Sequence, residues 1–185
     1  MCEMNIVLIS IVVAGHAPVW EWREPMIGKL GGIQVSFDRV SQAERLFGPA
    51  STSVGAHPNG GRFWLRSRRE ISADCWHFDK QGYFIDDLTI ANWTGSLSEI
   101  GSSGSVYRGI RFMTRDTDLF KLLKKRDVPV RWSKAALILQ AKYRVPQSMR
   151  RHSWQHETIE YIAEFRFKSH RLVAVNLTSS YFGAD

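Results

Sequence analysis

Cysteine is scarce in this chain, and its scarcity removes several options at once. Cys2 and Cys75 are the two present. They form no C-x-x-C spacing, so neither a zinc ribbon nor a dithiol redox motif is available. If Cys2 leaves with an exported leader, Cys75 stands alone and the fold rests on its hydrophobic core. Long apolar runs are missing too. The longest lies in NIVLISIVVAGHA, residues 5–17, with about ten apolar residues where a membrane-spanning helix needs ~20. No transmembrane segment is expected. Also absent are the Gly-x-Ser-x-Gly of serine hydrolases, a Cys–His signature, a dinucleotide fingerprint and the Glu of H-E-x-x-H between His152 and His156. These absences give the expectation of a non-enzymatic protein without catalytic residues, metal or cofactor.

Negative charge is the minority sign. There are 25 Lys and Arg against 18 Asp and Glu, a net charge of +7. That balance suits nucleic acid, an anionic surface, an acidic protein or plain solubility. Apolar residues make up 44% and aromatics 12%, so a packed core is within reach and disorder is not expected.

The run at 5–17 has the length of a signal-peptide apolar region, with Gly15-His16-Ala17 or Val12-Val13-Ala14 as small-residue cleavage sites. Residues 1–17 are therefore read as a possible signal peptide and the protein as periplasmic or secreted. Against this, Met1-Cys-Glu-Met carries no Lys or Arg. The alternative is a cytoplasmic protein in which NIVLISIVV, residues 5–13, is a core strand.

The chain also repeats itself. At an offset of 90, Trp64 falls on Trp154, Glu70 on Glu160, Ile71 on Tyr161, Ala73 on Ala163 and Asp74 on Glu164. At 89, Phe78 falls on Phe167, Leu88 on Leu177 and Thr89 on Thr178. Each half reads as a helix followed by strands. Phe37, Val40, Ala43 and Phe47 make one helical face, with Ser36 as a cap and Gly48-Pro49 as the stop. Leu119, Phe120, Leu122 and Leu123 make the other, with Thr114 or Asp116 as cap and Lys124, Lys125 and Arg126 at the cation-favouring end. EISADCWHF and YFIDDLTIANW form a hairpin across Asp79-Lys80-Gln81-Gly82. TIEYIAEFRF and RLVAVNLTSSYF form another around Lys168-Ser169-His170. The expected fold is α+β: two repeated helix-plus-antiparallel-hairpin units, 30–93 and 107–182, joined by a Gly/Ser-rich loop at 94–106, with helices packed on one face of an antiparallel sheet.

A helix closing on Leu46-Phe47-Gly48-Pro49, a Trp-bearing strand and the hairpin Phe78-Asp79-Lys80-Gln81-Gly82-Tyr83-Phe84 resemble the SmpA/OmlA type of module. In tandem, such modules build folds like that of β-lactamase inhibitor protein. The resemblance covers roughly residues 30–178. The second unit departs from the pattern: no Gly precedes Pro129, and Arg171 replaces the hairpin Gly. The inhibitor's disulfides have no counterpart. The resemblance implies a protein-binding module, without naming the partner.

Two features remain to be weighed. GAHPNGGRFW, from Gly55 to Trp64, reads as a turn that displays His57 and Arg62, because the strand-then-helix setting of a phosphate loop is missing. Basic residues cluster at Arg62, Arg66, Arg68 and Arg69, and again at Lys142, Arg144, Arg150, Arg151 and His152. Both clusters abut an aromatic stretch. Arginine beside aromatics is the composition of a protein interface and of a single-strand nucleic-acid groove. The expected partner-binding face is His57, Arg62, Trp64, Arg66, Trp76, Arg151 and Trp154. The first reading is an exported inhibitor, immunity or scaffold protein. A basic nucleic-acid-associated cytoplasmic protein and a small hydrolase or metal-dependent enzyme around His57, His152 and His156 are the alternatives. Asp86 and Asp87, adjacent on a strand, point to opposite faces and make a poor acid/base pair.

Overall fold

The computed structural model describes residues 20–22, 28–52, 61–64, 70–92, 106–150 and 157–182. Residues 1–19, which hold the leader-like run, most of GAHPNGGRFW and residues 94–105 of the Gly/Ser-rich loop lie outside them.

Alternation of apolar and polar residues builds most of the sheet. In β11 (Ala136–Arg144), Leu137, Leu139, Ala141 and Tyr143 are buried while the residues between them are half-buried. In β12 (Thr158–Lys168), Ile159, Tyr161, Ala163 and Phe165 are buried. The first half contributes β6 (Ile71–Cys75), through Ile71, Ala73 and Cys75, and β9 (Asp87–Ala91), through Leu88 and Ile90. Completing the sheet are β1 (Trp20–Trp22), β4 (Ser51–Thr52), β5 (Gly61–Trp64), β10 (Val130–Ser133) and β13 (Arg171–Phe182).

Among the described residues these strands join one sheet in the order β1-β11-β12-β13-β9-β6-β5-β4, with β10 also paired to β11. All pairs are antiparallel except β1 with β11. At the centre, β9 lies beside β13 and Leu88 faces Leu177 in register. The fold is thus α+β with a mainly antiparallel sheet.

Two α-helices occur among the described residues. Val40 and Ala43 of α1 (Val40–Phe47) and Leu119 and Leu123 of α2 (Asp116–Lys125) join the same apolar cluster as the inward sheet residues. None of the helices is long and apolar enough to cross a membrane, among the described residues. Two small hairpins complete the fold: β2 (Lys29–Leu30) with β3 (Ile33–Gln34), and β7 (Phe78–Asp79) with β8 (Gly82–Tyr83). The buried Tyr161 hydroxyl ties the sheet to the first of these by donating to the Val35 carbonyl at 3.1 Å.

The helix caps fall on other residues than the sequence suggests. Ser36 is not the cap of α1. It takes φ of 75° in a turn where Phe37 and Asp38 N–H donate to the Gln34 carbonyl. The helix begins after Arg39, whose N–H donates to Gln42 Oε1 at 2.7 Å. Gly48 stops α1 as expected, with φ of 94° and its N–H on the Glu44 carbonyl. In α2 the cap position is Arg115, and Asp116 is the first helical residue rather than the cap. The β10–β11 hairpin was not foreseen. It turns at Lys134, with φ of 50°, without a Gly, Asn or Pro to mark it.

Candidate partner-binding site

The β12–β13 hairpin pairs through to its turn as expected, with one register shift at Arg166/Phe167, and Ser169 and His170 take φ of 48° and 59° at the turn, the positive pair that tight hairpins favour. The first-half hairpin is not continuous. β6 stops at Cys75, β7 resumes at Phe78, and β9 starts only at Asp87.

The cause is one buried carboxylate. Asp86 is 2% exposed. It accepts the Trp76 N–H at 2.5 Å and the His77 N–H at 3.1 Å, and pairs with His77 Nδ1 at 2.8 Å. Two backbone donors that would have continued the strand ladder are turned into the protein instead. The Asp86 backbone is fixed as well. Its N–H donates to the Asp74 carbonyl, and its carbonyl accepts both the N–H and the hydroxyl of Ser179.

The short hairpin beyond this turn is clamped to the start of α1. Arg39 forms a two-pronged ion pair with Asp79, with Nη2 to Oδ2 at 2.6 Å. The Asp79 bond raises the Arg39 pKa further above its ordinary value. The same guanidinium lies 4.1 Å from the centre of the buried Phe84 ring. On this framework Trp76 is 54% and Phe78 56% exposed, and Phe78 leans on Tyr83 with ring centres 5.7 Å apart.

His77 and Asp86 share the outline of a catalytic dyad, yet the adjacent thiol does not suit one. Burial pushes the Cys75 pKa well up, and the carboxylates of Asp86, Asp74 and Asp87 push it the same way. It stays a protonated thiol, whereas a cysteine nucleophile needs cationic neighbours. Asp86 and Asp87 do diverge. Asp87 belongs to a second polar group at the centre of the sheet. Its carboxylate accepts from Asn176 Nδ2 at 2.6 Å and from the Thr178 hydroxyl at 2.6 Å, and Asn176 also reaches Thr89 at 2.9 Å. Burial raises the Asp87 pKa, against the lowering effect of its Thr178 and Asn176 bonds. Asn176, of the sequon Asn-Leu-Thr, is 6% exposed and committed to these bonds, so it is a poor glycan acceptor.

Of the expected face, Trp76 is described in full and is exposed. Arg62 and Trp64 lie on β5, in register with Asp74 and Ser72. His57, Arg66, Arg151 and Trp154 lie outside the described residues, as do His152 and His156. The second basic cluster is partly sheet: Lys142 is in register with Glu160 and Glu21, Arg144 with Thr158, and Arg150 is 3.5 Å from Glu157. Phe78, Asp86, Arg39 and Asp79 are members of the site that sequence reasoning did not place there. The Phe78–Gly82 hairpin pattern pointed to the loop but not to its exposed ring. Among the described residues, no group of three or more His, Cys, Asp and Glu is placed to hold a metal ion.

No protein-family model, curated protein or solved structure matches the chain.

Proposed function

We propose that the protein is a non-enzymatic, exported protein-binding module built from two tandem helix-plus-hairpin units, of inhibitor, immunity or scaffold type. The observation that carries the binding reading is the turn at Trp76–Phe78. Two large aromatic side chains are more than half exposed on backbone held by a buried carboxylate and a bidentate arginine clamp. Exposed aromatics lose little entropy on binding when their backbone is already fixed, and Trp is the residue most enriched at binding hot spots.

The tandem reading is supported by register. Ala73 pairs with Leu88 in the first half and Ala163 with Leu177 in the second, and Leu88 and Leu177 face each other between them. Outward from that pair, β9-β6-β5-β4 and β13-β12-β11-β10 run in matching reversed order, and each set follows a helix in the chain. Trp64 over Trp154 is not part of this match, because Trp64 pairs with Ser72, the neighbour of Ala73, and its counterpart by register is Gln140 opposite Ile162. Export is supported by the apolar run within residues 5–17.

The test is affinity capture from a native extract with nuclease treatment and a graded salt wash, followed by mass spectrometry. It is run with the wild type and with Trp76→Ser/Phe78→Ser. The expected result is a protein that survives nuclease and moderate salt and is lost with the double variant. Capture of nucleic acid, or of partners that vanish with nuclease, would overturn the reading.

A further inference from the structure

Ring contacts gather at a second place, away from the Trp76 turn. Trp132 of β10 is 47% exposed. It stacks on Phe120 of α2 with centres 6.0 Å apart, and it meets Phe167 of β12 at 5.9 Å. Both phenylalanines are partly buried against the core, so the indole stands on a firm base. The Phe167 N–H donates to the Ala135 carbonyl at 2.9 Å. That bond brings the β10–β11 turn against the end of β12 and places Lys134 and Lys168, both exposed, at one margin of the ring cluster. Lys121 and Lys124 of α2 are also exposed. Lys124 lies one turn beyond Phe120 on the same side of the helix, and Lys121 is its neighbour in the chain. Met113, 59% exposed, is held at the same hairpin, its N–H on the Leu172 carbonyl and its own carbonyl accepting from Arg171.

We propose that this end of the sheet docks onto an anionic membrane surface, with Trp132 and Met113 entering the interfacial layer and Lys121, Lys124, Lys134 and Lys168 meeting the headgroups. The charge pattern selects the occupant. The four lysines, compact point charges on flexible stems that set no fixed pairing geometry, are joined there by exposed Arg131 and Arg166 and by Arg171 at Met113, so the patch offers a broad positive field. A fluid anionic surface needs only their summed field and an amphipathic ring at headgroup level. A nucleic-acid groove uses open aromatic faces for base stacking, whereas Phe120 already covers a face of Trp132. The two surfaces are compatible. Asp86 of the Trp76 turn is held at Ser179 of β13, and Met113 at Leu172, seven residues or about 23 Å along an extended strand.

The experiment is co-sedimentation of the full chain with vesicles of phosphatidylcholine containing phosphatidylglycerol, and with phosphatidylcholine alone, at low and high salt. Binding is expected to the anionic vesicles at low salt, with loss on neutral vesicles and in high salt. Lys134→Gln/Lys168→Gln is expected to weaken partitioning about 30-fold, roughly fivefold per lysine. The control Arg45→Gln/Lys80→Gln removes the same charge from first-half elements, α1 and the β7–β8 turn, and should leave partitioning within about twofold. Trp132→Leu, checked for folding by circular dichroism, should also weaken it. No binding to anionic vesicles, an equal loss in the control, or displacement from vesicles by single-stranded DNA at lower concentration than by anionic lipid would overturn the proposal.

Discussion

The two hairpin ends of the sheet solve one problem in opposite ways. In the second half, β12 and β13 pair through to a tight turn at Ser169-His170, and where the register shifts at Arg166/Phe167 the spare donors find backbone carbonyls, Phe167 N–H on Ala135 and Leu172 N–H on Thr114. In the first half the ladder breaks, and Asp86 takes the N–H groups of Trp76 and His77. The difference rests on one side chain. A carboxylate placed at the root of a hairpin turns a strand end into a display loop, and burial makes that loop stiff, because releasing the donors would leave a buried charge without partners. The second-half hairpin ends in a surface turn, with His170 84% exposed beside Asp116 at 2.7 Å.

The most damaging way to break this comparison is Asp86→Ala. It removes the acceptor of three hydrogen bonds and should cost about 3 kcal/mol, measured by urea unfolding. Asp86→Asn keeps the shape and should recover part of that loss. Next comes Trp76→Ser, which should change stability by less than about 0.5 kcal/mol yet weaken the partner complex about 30-fold or more, measured by titration calorimetry.

A smaller effect is expected at the centre, where the halves meet. Burial raises the Asp87 pKa in the folded protein. The folded chain then holds that proton more tightly than the unfolded chain does. Its contribution to stability is present below the usual aspartate range and is lost as pH rises through the raised value. The stability difference between wild type and Asp87→Asn should therefore fall from about pH 3 to about pH 7, followed by urea midpoints. A flat difference would show that the Asn176 and Thr178 bonds cancel the burial cost. The smallest effect belongs to the other hairpin. His170 lowers the Asp116 pKa mainly through their hydrogen bond, but the pair is at the surface, and His170→Ala should leave the urea midpoint at neutral pH unchanged within error.

These contrasts also explain what could be read in advance. The β12–β13 hairpin and the Gly48 stop were legible, since alternation and a glycine needing positive φ are local signals. The break after Cys75 was not, because it depends on Asp86, ten residues away from Trp76 in the chain. Asp86-Asp87 looked like a dipeptide on one strand, whereas the first residue is an anchor and the second a strand member. The β10–β11 hairpin has no local signal, because its turn carries Lys134 at positive φ, and Lys142 and Arg144 read as part of a basic cluster although they alternate with Ala141 and Tyr143 of the core. The parallel pairing of β1 with β11 joins segments some 120 residues apart, and no local pattern announces it. In the candidate site, Trp76 was named from its composition and neighbours. Phe78 and the Arg39–Asp79 clamp needed three-dimensional contacts to appear.

The most direct test of the central claim is hydrogen exchange by mass spectrometry on the full chain, alone and with its captured partner. The account predicts that the amides of Trp76 and His77 are already protected in the free protein, and that binding adds protection across residues 76–84 and leaves 131–137 unchanged. Fast exchange at Trp76 and His77 in the free protein, or new protection confined to other segments, would contradict it.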